Sequence, residues 1–317
     1  MIYLNILCPL SNIDEIDLLI EEPVNELYFG INNQKILFNN RRPSTFCNME
    51  KSKKLRDSLS RAVDRGIRLN LACNAFIYPP DKLHYLLEDV LYCYDIGVRD
   101  IIISDINAML FIKNNNHHKD LRYTLSTCAP VYNSETVTFY QSLGITRICL
   151  PRHLSLAEMG ALTRKHPEME FEVIGLNVRC INEDGLCCFE HGLHNYDSAL
   201  EGGGCQLKYE ATAFVNDKID DISKRIIQKR FECVQGKFIS ACAACMIPEL
   251  NKANIGYLKI AGREFTIVRK IRDIRFIRQC IDCANSFDSI TEYQKKAREL
   301  YLNYYKKVCD ATQCYYS

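Results

Sequence analysis

Short apolar segments rich in β-forming residues alternate with amphipathic segments along the first half of the chain, and this rhythm restricts the possible folds more than any other feature. Several apolar segments are continuous rather than alternating, which is typical of parallel strands buried on both faces. The segments between them show the spacing of amphipathic helices. Strands are predicted at Ile2–Leu7, Glu26–Phe29, Arg68–Ala72, Asp100–Ser104, Leu121–Leu125, Thr146–Leu150 and Glu170–Ile174, and the helices include Ser52–Arg65, Pro80–Tyr94, Ser134–Leu143 and Ser155–Lys165.

An eighth βα unit is predicted later in the chain, with a strand at Tyr257–Ile260 and a helix near Phe265–Ile281. Eight such units predict an α/β fold, a (β/α)8 TIM-like barrel, rather than an open doubly wound sheet. A further helical pattern, Thr291–Lys307, carries tyrosines that are more typical of packing than of a binding site.

Residues 178–245 interrupt this rhythm with a cluster of cysteines and a glycine-rich turn. Loops that follow barrel strands form the active-site face, so we expect this cysteine-rich insertion near the C-terminal strand ends. The predicted domains are a barrel-like catalytic domain over residues 1–285, with the insertion at about 178–245, and a C-terminal helical tail over residues 286–317.

The composition predicts a soluble, cytoplasmic protein. The 17 cysteines are an odd number, and the N-terminus lacks the basic start and apolar run of a signal peptide, so a reducing compartment is expected. No segment approaches the roughly 20 apolar residues of a membrane span. The net charge of +1 gives no overall attraction to nucleic acid, so RNA binding would need a local patch. One basic run is either such a patch or a solvated helix face: Arg263, Arg269, Lys270, Arg272, Arg275 and Arg278.

Four cysteines are the strongest candidate metal ligands: Cys180, Cys187, Cys205 and Cys242. A short turn can direct two sulfurs to one point, and Gly185 lies between the first two cysteines. By ligand type, zinc and an iron–sulfur cluster are equally compatible. Cys188 and Cys245 are competing ligands, and buried structural cysteines are the alternative interpretation. Five other cysteines lie in or beside predicted elements and are interpreted as core residues: Cys8, Cys73, Cys93, Cys128 and Cys149.

Polar side chains at or just beyond predicted strand ends are the candidate catalytic groups, because barrel enzymes place their chemistry at this face. They are Asn74, Asp105, Ser126 and Arg152. Helix capping or a core hydrogen bond is the alternative for each. Arg152 and Arg263 are candidates for a clamp that binds carboxylates, with a buried ion pair as the alternative for Arg263. Lys259 is a further candidate for substrate binding, because strand alternation points it into the barrel.

A series of short motifs resembles one known family. The segments Glu26-Leu-Tyr-Phe-Gly30, Leu71-Ala-Cys-Asn74 and Ile102-Ile-Ser-Asp105 resemble its early strands. Its terminal motifs are resembled, in order and spacing, by Cys242, Ile247-Pro-Glu-Leu250 and Leu258-Lys-Ile-Ala-Gly-Arg263. On these motifs, roughly residues 1–285 resemble peptidase family U32, the collagenase-like peptidases. Its members include UbiU and UbiV, which take part in anaerobic ubiquinone hydroxylation, and the tRNA and rRNA hydroxylation proteins.

The resemblance implies a barrel-like fold and an oxygen-sensitive 4Fe-4S cluster on Cys180, Cys187, Cys205 and Cys242. It also implies oxygen-independent hydroxylation, with prephenate as co-substrate in some members and a homologous partner subunit in others. The function expected from it is hydroxylation, or a related modification, of a small molecule, a quinone precursor or a peptide. The alternatives are a peptidase or peptidase-like binding protein, an RNA-base hydroxylation factor, and a non-catalytic, metal-stapled subunit of a complex. No nucleophile–base pair or catalytic-metal motif of a peptidase is visible.

The chain departs from the family at polar positions of the predicted active-site face. The usual His-Gly before the first cysteine is Leu176-Asn177 here, and the histidine before the Ser-Thr pair is Thr124. The glutamate after the strand-six arginine is His153, and the glutamate of the family's KIEGR motif is Ala261. These changes predict a divergent member, with a different substrate or with a partner subunit.

Overall fold

The strands predicted from the sequence are present in the structure. The computed structural model describes residues 2–36, 47–177, 180, 184–186, 220–221, 223–225, 227–228, 241–310 and 314–316. Its strands are β1 (Asn5–Pro9), β2 (Glu26–Ile31), β3 (Asn48–Met49), β4 (Arg68–Cys73), β5 (Asp100–Ile103), β6 (Arg122–Leu125), β7 (Ile145–Cys149), β8 (Glu170–Leu176) and β9 (Tyr257–Ile260).

Eight of these strands form a closed parallel barrel. The order around it is β1, β9, β8, β7, β6, β5, β4 and β2, and β1 also pairs with β2, which closes the sheet. Leu7 of β1 is aligned with Lys259 on one side and with Glu26 on the other. The two-residue strand β3 pairs with the end of β2. The (β/α)8 TIM-like barrel is therefore confirmed.

Helices connect the strands. They are α1 (Ile16–Leu19), α2 (Lys53–Asp64), α3 (Leu83–Tyr94), α4 (Ile106–Asn114), α5 (Ser134–Leu143), α6 (Leu156–Lys165), α7 (Ile247–Lys252), α8 (Ile267–Ala284) and α9 (Ile290–Tyr305). Their boundaries follow local chemistry. Ser155 and Glu158 form a capping box at the start of α6, and Gly144, with a left-handed φ of 101°, ends α5.

The hydrophobic core has an outer and an inner part. Ile6 and Phe29 are fully buried in the main core, which includes residues of the strands and of the helices. Each such side chain stabilises the fold by about 1.5–3 kcal/mol. Leu7, Tyr28 and Ile102 form a separate small cluster. Strand alternation places this cluster inside the barrel.

The first strand begins later than predicted. Its prediction over Ile2–Leu7 is wrong at both ends, since β1 covers Asn5–Pro9. The parallel pairing with β2 runs through Leu7, Cys8 and Pro9 and therefore fixes the strand further along the chain. Tyr3, which the prediction included, is 76% exposed.

The tail helix packs on the barrel. It ends at Tyr305 rather than at Lys307, because Lys306 has a left-handed φ of 55°. The rings of Tyr301 and Tyr305 lie 5.8 and 5.2 Å from the ring of Phe276 in α8. These tyrosines are packing residues, as their pattern indicated. The domain boundary at 285 stays a prediction, and most of the insertion lies outside the described residues.

None of the helices described in the structure combines the length and the apolar character that crossing a membrane requires.

Candidate functional site

Charged side chains fill the N-terminal half of the barrel interior. Arg147 donates to Glu26 through both terminal nitrogens, at 2.8 and 2.9 Å, and to Glu170 through Nε at 3.0 Å. The side chains of Arg147 and Glu26 are each 1% exposed. Because a buried charge is tolerated only when it is paired, these residues must fold as one unit. We call the set the ionic layer; its members are Glu26, Arg68, Asp100, Arg122, Arg147, Glu170, Glu172 and Lys259.

Glu172 and Lys259 form the edge of the ionic layer that is nearer to the C-terminal end of the barrel. Lys259 Nζ donates to Glu172 Oε1 at 3.0 Å and lies 4.5 Å from the ring centroid of Tyr28. Burial opposes ionisation of Glu172, but Lys259 and Arg147 outweigh it and hold the pKa of this carboxyl below its usual range. Lys259 therefore lies where strand alternation predicted. Its role in substrate binding stays a prediction.

Two neutral polar groups lie together at the opposite, C-terminal end of the barrel, which we call the mouth. Asn74 follows β4 and Ser126 follows β6, and Asn74 Nδ2 donates to Ser126 Oγ at 3.4 Å. Asn74 Oδ1 is buried without a hydrogen-bond partner among the described residues. The structure thus brings two of the predicted catalytic residues together. It also leaves a buried amide oxygen that a ligand can satisfy.

Cys128 lies beside this pair, with its sulfur 4.0 Å from Asn74 Nδ2. Its interpretation as a core residue is wrong, because it is only partly buried. The chain has already left β6 at this point, so the thiol sits at the mouth. The other four cysteines interpreted in this way are buried: Cys8, Cys73, Cys93 and Cys149.

Asp105 caps helix α4. Its carboxylate accepts hydrogen bonds from the backbone N–H groups of Tyr78 and Asn107, both at 2.8 Å, and of Ala108 at 3.4 Å. These donors occupy both oxygens, which is the capping arrangement that the sequence left open. A catalytic role for Asp105 stays a prediction.

Arg152 lies beyond β7 and forms a fork-shaped ion pair with Asp184. Its Nε and Nη2 lie 2.8 and 2.5 Å from the two carboxylate oxygens. Burial opposes the charge of Arg152, but Asp184 outweighs it and raises the pKa of the guanidinium. Gly185, which follows Asp184 in the chain, has a φ of 81°, and a Cβ there would lie 2.6 Å from the backbone of Pro130. Only glycine fits this turn, as its sequence position indicated.

Arg263 lies beyond β9, and β8 separates β9 from β7 in the barrel. It is 6% exposed, and its Nη1 donates to Asn48 Oδ1 at 3.1 Å and to the carbonyl of Cys47 at 3.4 Å. The side chain also lines a cavity of about 410 Å³. The partners described for Arg263 differ from the partner of Arg152. A shared clamp for one ligand therefore stays a prediction.

Two of the four predicted metal ligands lie just beyond β8. Cys242 pairs through its backbone with Leu176, the last residue of β8, and Cys180 follows four residues after Leu176. Burial raises the pKa of the Cys242 thiol. Among the described residues, no group of three or more His, Cys, Asp or Glu side chains is arranged to hold a metal ion. Three cysteines of the prediction lie outside the described residues: Cys187, Cys205 and the competing Cys188.

A second pair of thiols lies beside Cys242, and the sequence analysis did not identify it. The backbone of Cys314 pairs with that of Cys242. The thiol of Cys314 forms a hydrogen bond with that of Cys309, which lowers the pKa of Cys309. Cys245 is close enough to Cys309 for their charges to interact. The spacing Cys309-x₄-Cys314 was the available signal, but its position after the tail helix gave no reason to connect it with the mouth.

Two tyrosines near the end of the chain also reach the mouth. The backbone N–H of Tyr315 donates to the carbonyl of Cys242 at 3.0 Å, and its hydroxyl donates to the carbonyl of Asn177 at 2.8 Å. The hydroxyl of Tyr316 donates to the carbonyl of Ile174 at 3.0 Å. These contacts place the chain's last described residues over the end of β8.

The basic run on α8 is divided between internal ion pairs and a cavity. Lys270 Nζ lies 2.8 Å from a carboxylate oxygen of Glu15, and an Arg275 nitrogen lies 2.6 Å from one of Glu22. Lys270 is 1% exposed, so it does not belong to a solvated face. Two members of the run instead line a cavity together with a lysine beyond α9: Arg269, Arg272 and Lys307.

The chain is similar in sequence to known proteins. The sequence model of Peptidase family U32 matches residues 11–316. The tRNA hydroxylation protein P of Escherichia coli (strain K12) is 27% identical over 144 residues, and that of Haemophilus influenzae is 26% identical over 148 residues. These alignments cover 44% and 46% of this chain but only 31% and 32% of the two relatives. Among solved structures, the U32 peptidase Mk0906 has a TM-score of 0.43 and 16% identity, over 55% of this chain and 70% of that chain.

Proposed function

Because the chain belongs to peptidase family U32, we propose that it is a hydroxylation protein, and that its substrate is tRNA. The two similar proteins named as tRNA hydroxylation proteins support this choice. Their names favour RNA over the small molecule, quinone precursor or peptide that the motifs alone suggested. The aligned part is only about a third of each relative. The substrate is therefore a proposal, and tRNA is the first one to test.

The mouth is the proposed site of the reaction. The observation that supports it is the buried oxygen of Asn74, which lacks a partner among the described residues and lies next to Ser126. A nucleobase carries N–H donors on its edge, and proteins that modify a base take it out of the stack and read that edge by hydrogen bonds. Asn74 would accept from the base, and Ser126 would hold the amide in place.

The proposed cofactor is a 4Fe-4S cluster, with zinc as the alternative metal. Its ligands would be Cys180, Cys187, Cys205 and Cys242. Thiolates suit both metals, and the position of two of these thiols beyond the same strand supports a shared centre at the mouth. A bound cluster would supply electron transfer. Since ligation requires thiolates, metal binding would overcome the burial that raises the pKa of Cys242.

Prephenate as co-substrate and a homologous partner subunit remain proposals that follow from the family resemblance, and a cytoplasmic location remains a proposal that follows from the composition. A carboxylate of such a co-substrate could bind Arg152 only by displacing Asp184 from its fork. Arg263 lines the cavity of about 410 Å³, where a carboxylate could contact it.

The function is tested by expressing the chain, under anaerobic conditions, in a host that lacks its own tRNA hydroxylation protein. Total tRNA is digested to nucleosides, and hydroxylated nucleosides are measured by mass spectrometry. We expect the wild type to restore a hydroxylated nucleoside and Cys180→Ala to abolish it. Cys93→Ala, which changes a buried thiol of α3, is the matched control and should retain the product.

The cofactor and the peptidase alternative are read out on the same purified proteins. The wild type should show the broad visible absorption of an iron–sulfur cluster together with iron and sulfide, and Cys180→Ala should not. Stoichiometric zinc without sulfide would replace the cluster but keep the site. Cleavage of gelatin that disappears in Asn74→Ala, with no hydroxylated nucleoside formed, would favour a peptidase and reject the proposal.

A further inference from the structure

A basic cavity of about 200 Å³ lies on the flank of the mouth. Its wall includes Arg269, Arg272 and Lys307, together with the rings of Tyr301 and Tyr305. Pockets for drug-sized ligands usually exceed about 300 Å³, so this cavity suits a single small group rather than a whole nucleoside. Its cationic wall selects an oxyanion.

The two arginines of the cavity are held in place by packing. The guanidinium of Arg272 lies over the ring of Tyr305, 4.6 Å from its centroid. The guanidinium of Arg269 lies over Phe265 at 3.4 Å. The left-handed φ of Lys306 ends α9 and turns the chain, so that Lys307 reaches the wall of the cavity. An anion would therefore meet a largely preformed site, which reduces the ordering cost of binding.

The nearby carboxylate compensates these charges only in part. Asp273 lies 3.8 Å from Nε of Arg269 and 3.8 Å from Nε of Arg272, which is beyond hydrogen-bond distance. Its oxygens instead accept from Asn177 Nδ2 and from the Tyr305 hydroxyl, each at 2.8 Å. Nε of Arg272 is buried and has no hydrogen-bond partner among the described residues. Among the described residues that line the cavity, three cations therefore face this one carboxylate, and Nε of Arg272 remains as a donor.

The position of the cavity connects it with the proposed reaction. Cys242 lines it, and the backbone of Cys242 pairs with Leu176 at the end of β8. A protein that takes a base out of the stack also has to hold the flanking backbone, and phosphate contacts fix its register. We infer that this basic cavity binds a backbone phosphate of the RNA substrate. The inference rests on the proposed function, since it takes tRNA as the ligand.

The test compares tRNA binding of two double variants of the full chain with that of the wild type. Arg272→Gln with Lys307→Gln removes two cations of the cavity. Arg65→Gln with Lys296→Gln removes two cations that pair with exposed carboxylates elsewhere, Glu21 and Glu299, and is the matched control of equal charge. Binding of an unmodified tRNA transcript is followed by fluorescence anisotropy at several salt concentrations, and thermal unfolding shows that each variant is folded.

We expect the cavity variant to bind about ten-fold more weakly, as for the loss of one charge-assisted contact. The slope of log affinity against log salt should fall by about 1, as for one lost phosphate contact. The control should stay within about two-fold of the wild type. Arg272→Lys keeps the charge but loses the two-pronged guanidinium donor, so its affinity for tRNA should lie between those of the wild type and the cavity variant.

Unchanged affinity and salt slope in the cavity variant would overturn the inference and leave the proposed function intact. Conversely, normal binding with the expected variant effects but no hydroxylated nucleoside would support the cavity and reject the function. If the wild type binds no tRNA, while inorganic phosphate or malonate protects Arg272 from phenylglyoxal, the cavity takes a free anion and the RNA assignment is wrong.

Discussion

The two ends of the barrel interior use polar residues in different ways. At the N-terminal end, the ionic layer pairs buried charges of opposite sign, as in the fork of Arg147 on Glu26. At the mouth, an amide, a hydroxyl and a thiol lie beside one another, and Asn74 keeps an oxygen without a partner among the described residues. Arg68 Nε and Glu172 Oε2 of the ionic layer also lack a hydrogen-bond partner there, but both side chains belong to ion pairs, whereas Asn74 and Ser126 are neutral.

This difference indicates a division of labour between stability and function. Removing one partner of a buried ion pair leaves an uncompensated charge, which costs far more than the pair itself stabilises. A neutral group with an unused oxygen costs less to change but loses a specific ligand contact. We therefore expect substitutions of the buried members of the ionic layer to lower mainly the stability of the protein, and substitutions at the mouth to lower mainly its activity.

The largest effect is expected for Arg147→Met. This change leaves Glu26 and Glu172 buried without their shared guanidinium and should lower the free energy of unfolding by about 3–5 kcal/mol. Urea unfolding followed by circular dichroism measures it. Arg65→Met, which breaks an ion pair with Glu21 whose side chains are 57% and 60% exposed, is the control and should leave the midpoint nearly unchanged. Equal losses of unfolding free energy in both variants would mean that the buried ion pairs contribute no more to stability than an exposed pair does.

A smaller effect, which depends on pH, is expected for Lys259→Met. In the wild type the pKa of Glu172 lies below its usual range, so Glu172 contributes stability that is present above its unfolded value of about 4.3 and is lost as the pH falls through its folded pKa. Without Lys259, burial raises this pKa. The variant should therefore be clearly less stable at about pH 7, and the difference should shrink at about pH 4. A difference that stays constant with pH would show that Glu172 is not the group involved.

Asn70 and Asn74 offer a matched test of the two ends, because they lie four residues apart on the inner side of β4 and its extension. Asn70 Nδ2 donates to buried Glu26 at 2.9 Å, so Asn70→Ala should cost roughly 1–3 kcal/mol of stability. Asn74→Ala should cost about 1 kcal/mol or less but reduce hydroxylated nucleoside roughly 10- to 100-fold. The amount of hydroxylated nucleoside is compared at equal amounts of folded protein. If Asn70→Ala lowers it as much as Asn74→Ala does, the two ends of the barrel interior do not differ in function.

The sequence was sufficient for the barrel because each strand carries its own signal. Continuous apolar runs and the amphipathic segments between them are local patterns, and their number favoured a barrel over an open sheet. Closure itself is shown by the pairing of β1 with β2. What the pattern missed is non-local. The start of β1 depends on pairing with β2, and the charges inside the barrel pair across strands that are distant in sequence, such as Arg147 with Glu26.

The candidate site was predictable only in part for the same reason. Strand-end positions identified Asn74 and Ser126, which the structure brings into contact. Asn177, at the position of the family's glycine, is explained by its φ of 67°, a conformation that Asn tolerates well. The basic cavity is formed by α8 together with a lysine beyond α9. No local sequence pattern predicts that these two parts of the chain lie close together.

The smallest effect is expected at the mouth itself, for Tyr316→Phe. The change removes the hydroxyl that donates to the carbonyl of Ile174 and should cost about 0.5–1.5 kcal/mol. Tyr304→Phe, on the tail helix, is the matched control. Because the loss is local, it should appear mainly as faster hydrogen exchange of the Tyr315 amide, which donates to Cys242. Exchange that is as slow as in the wild type would mean that contacts other than the Tyr316 hydroxyl hold the two tyrosines at β8.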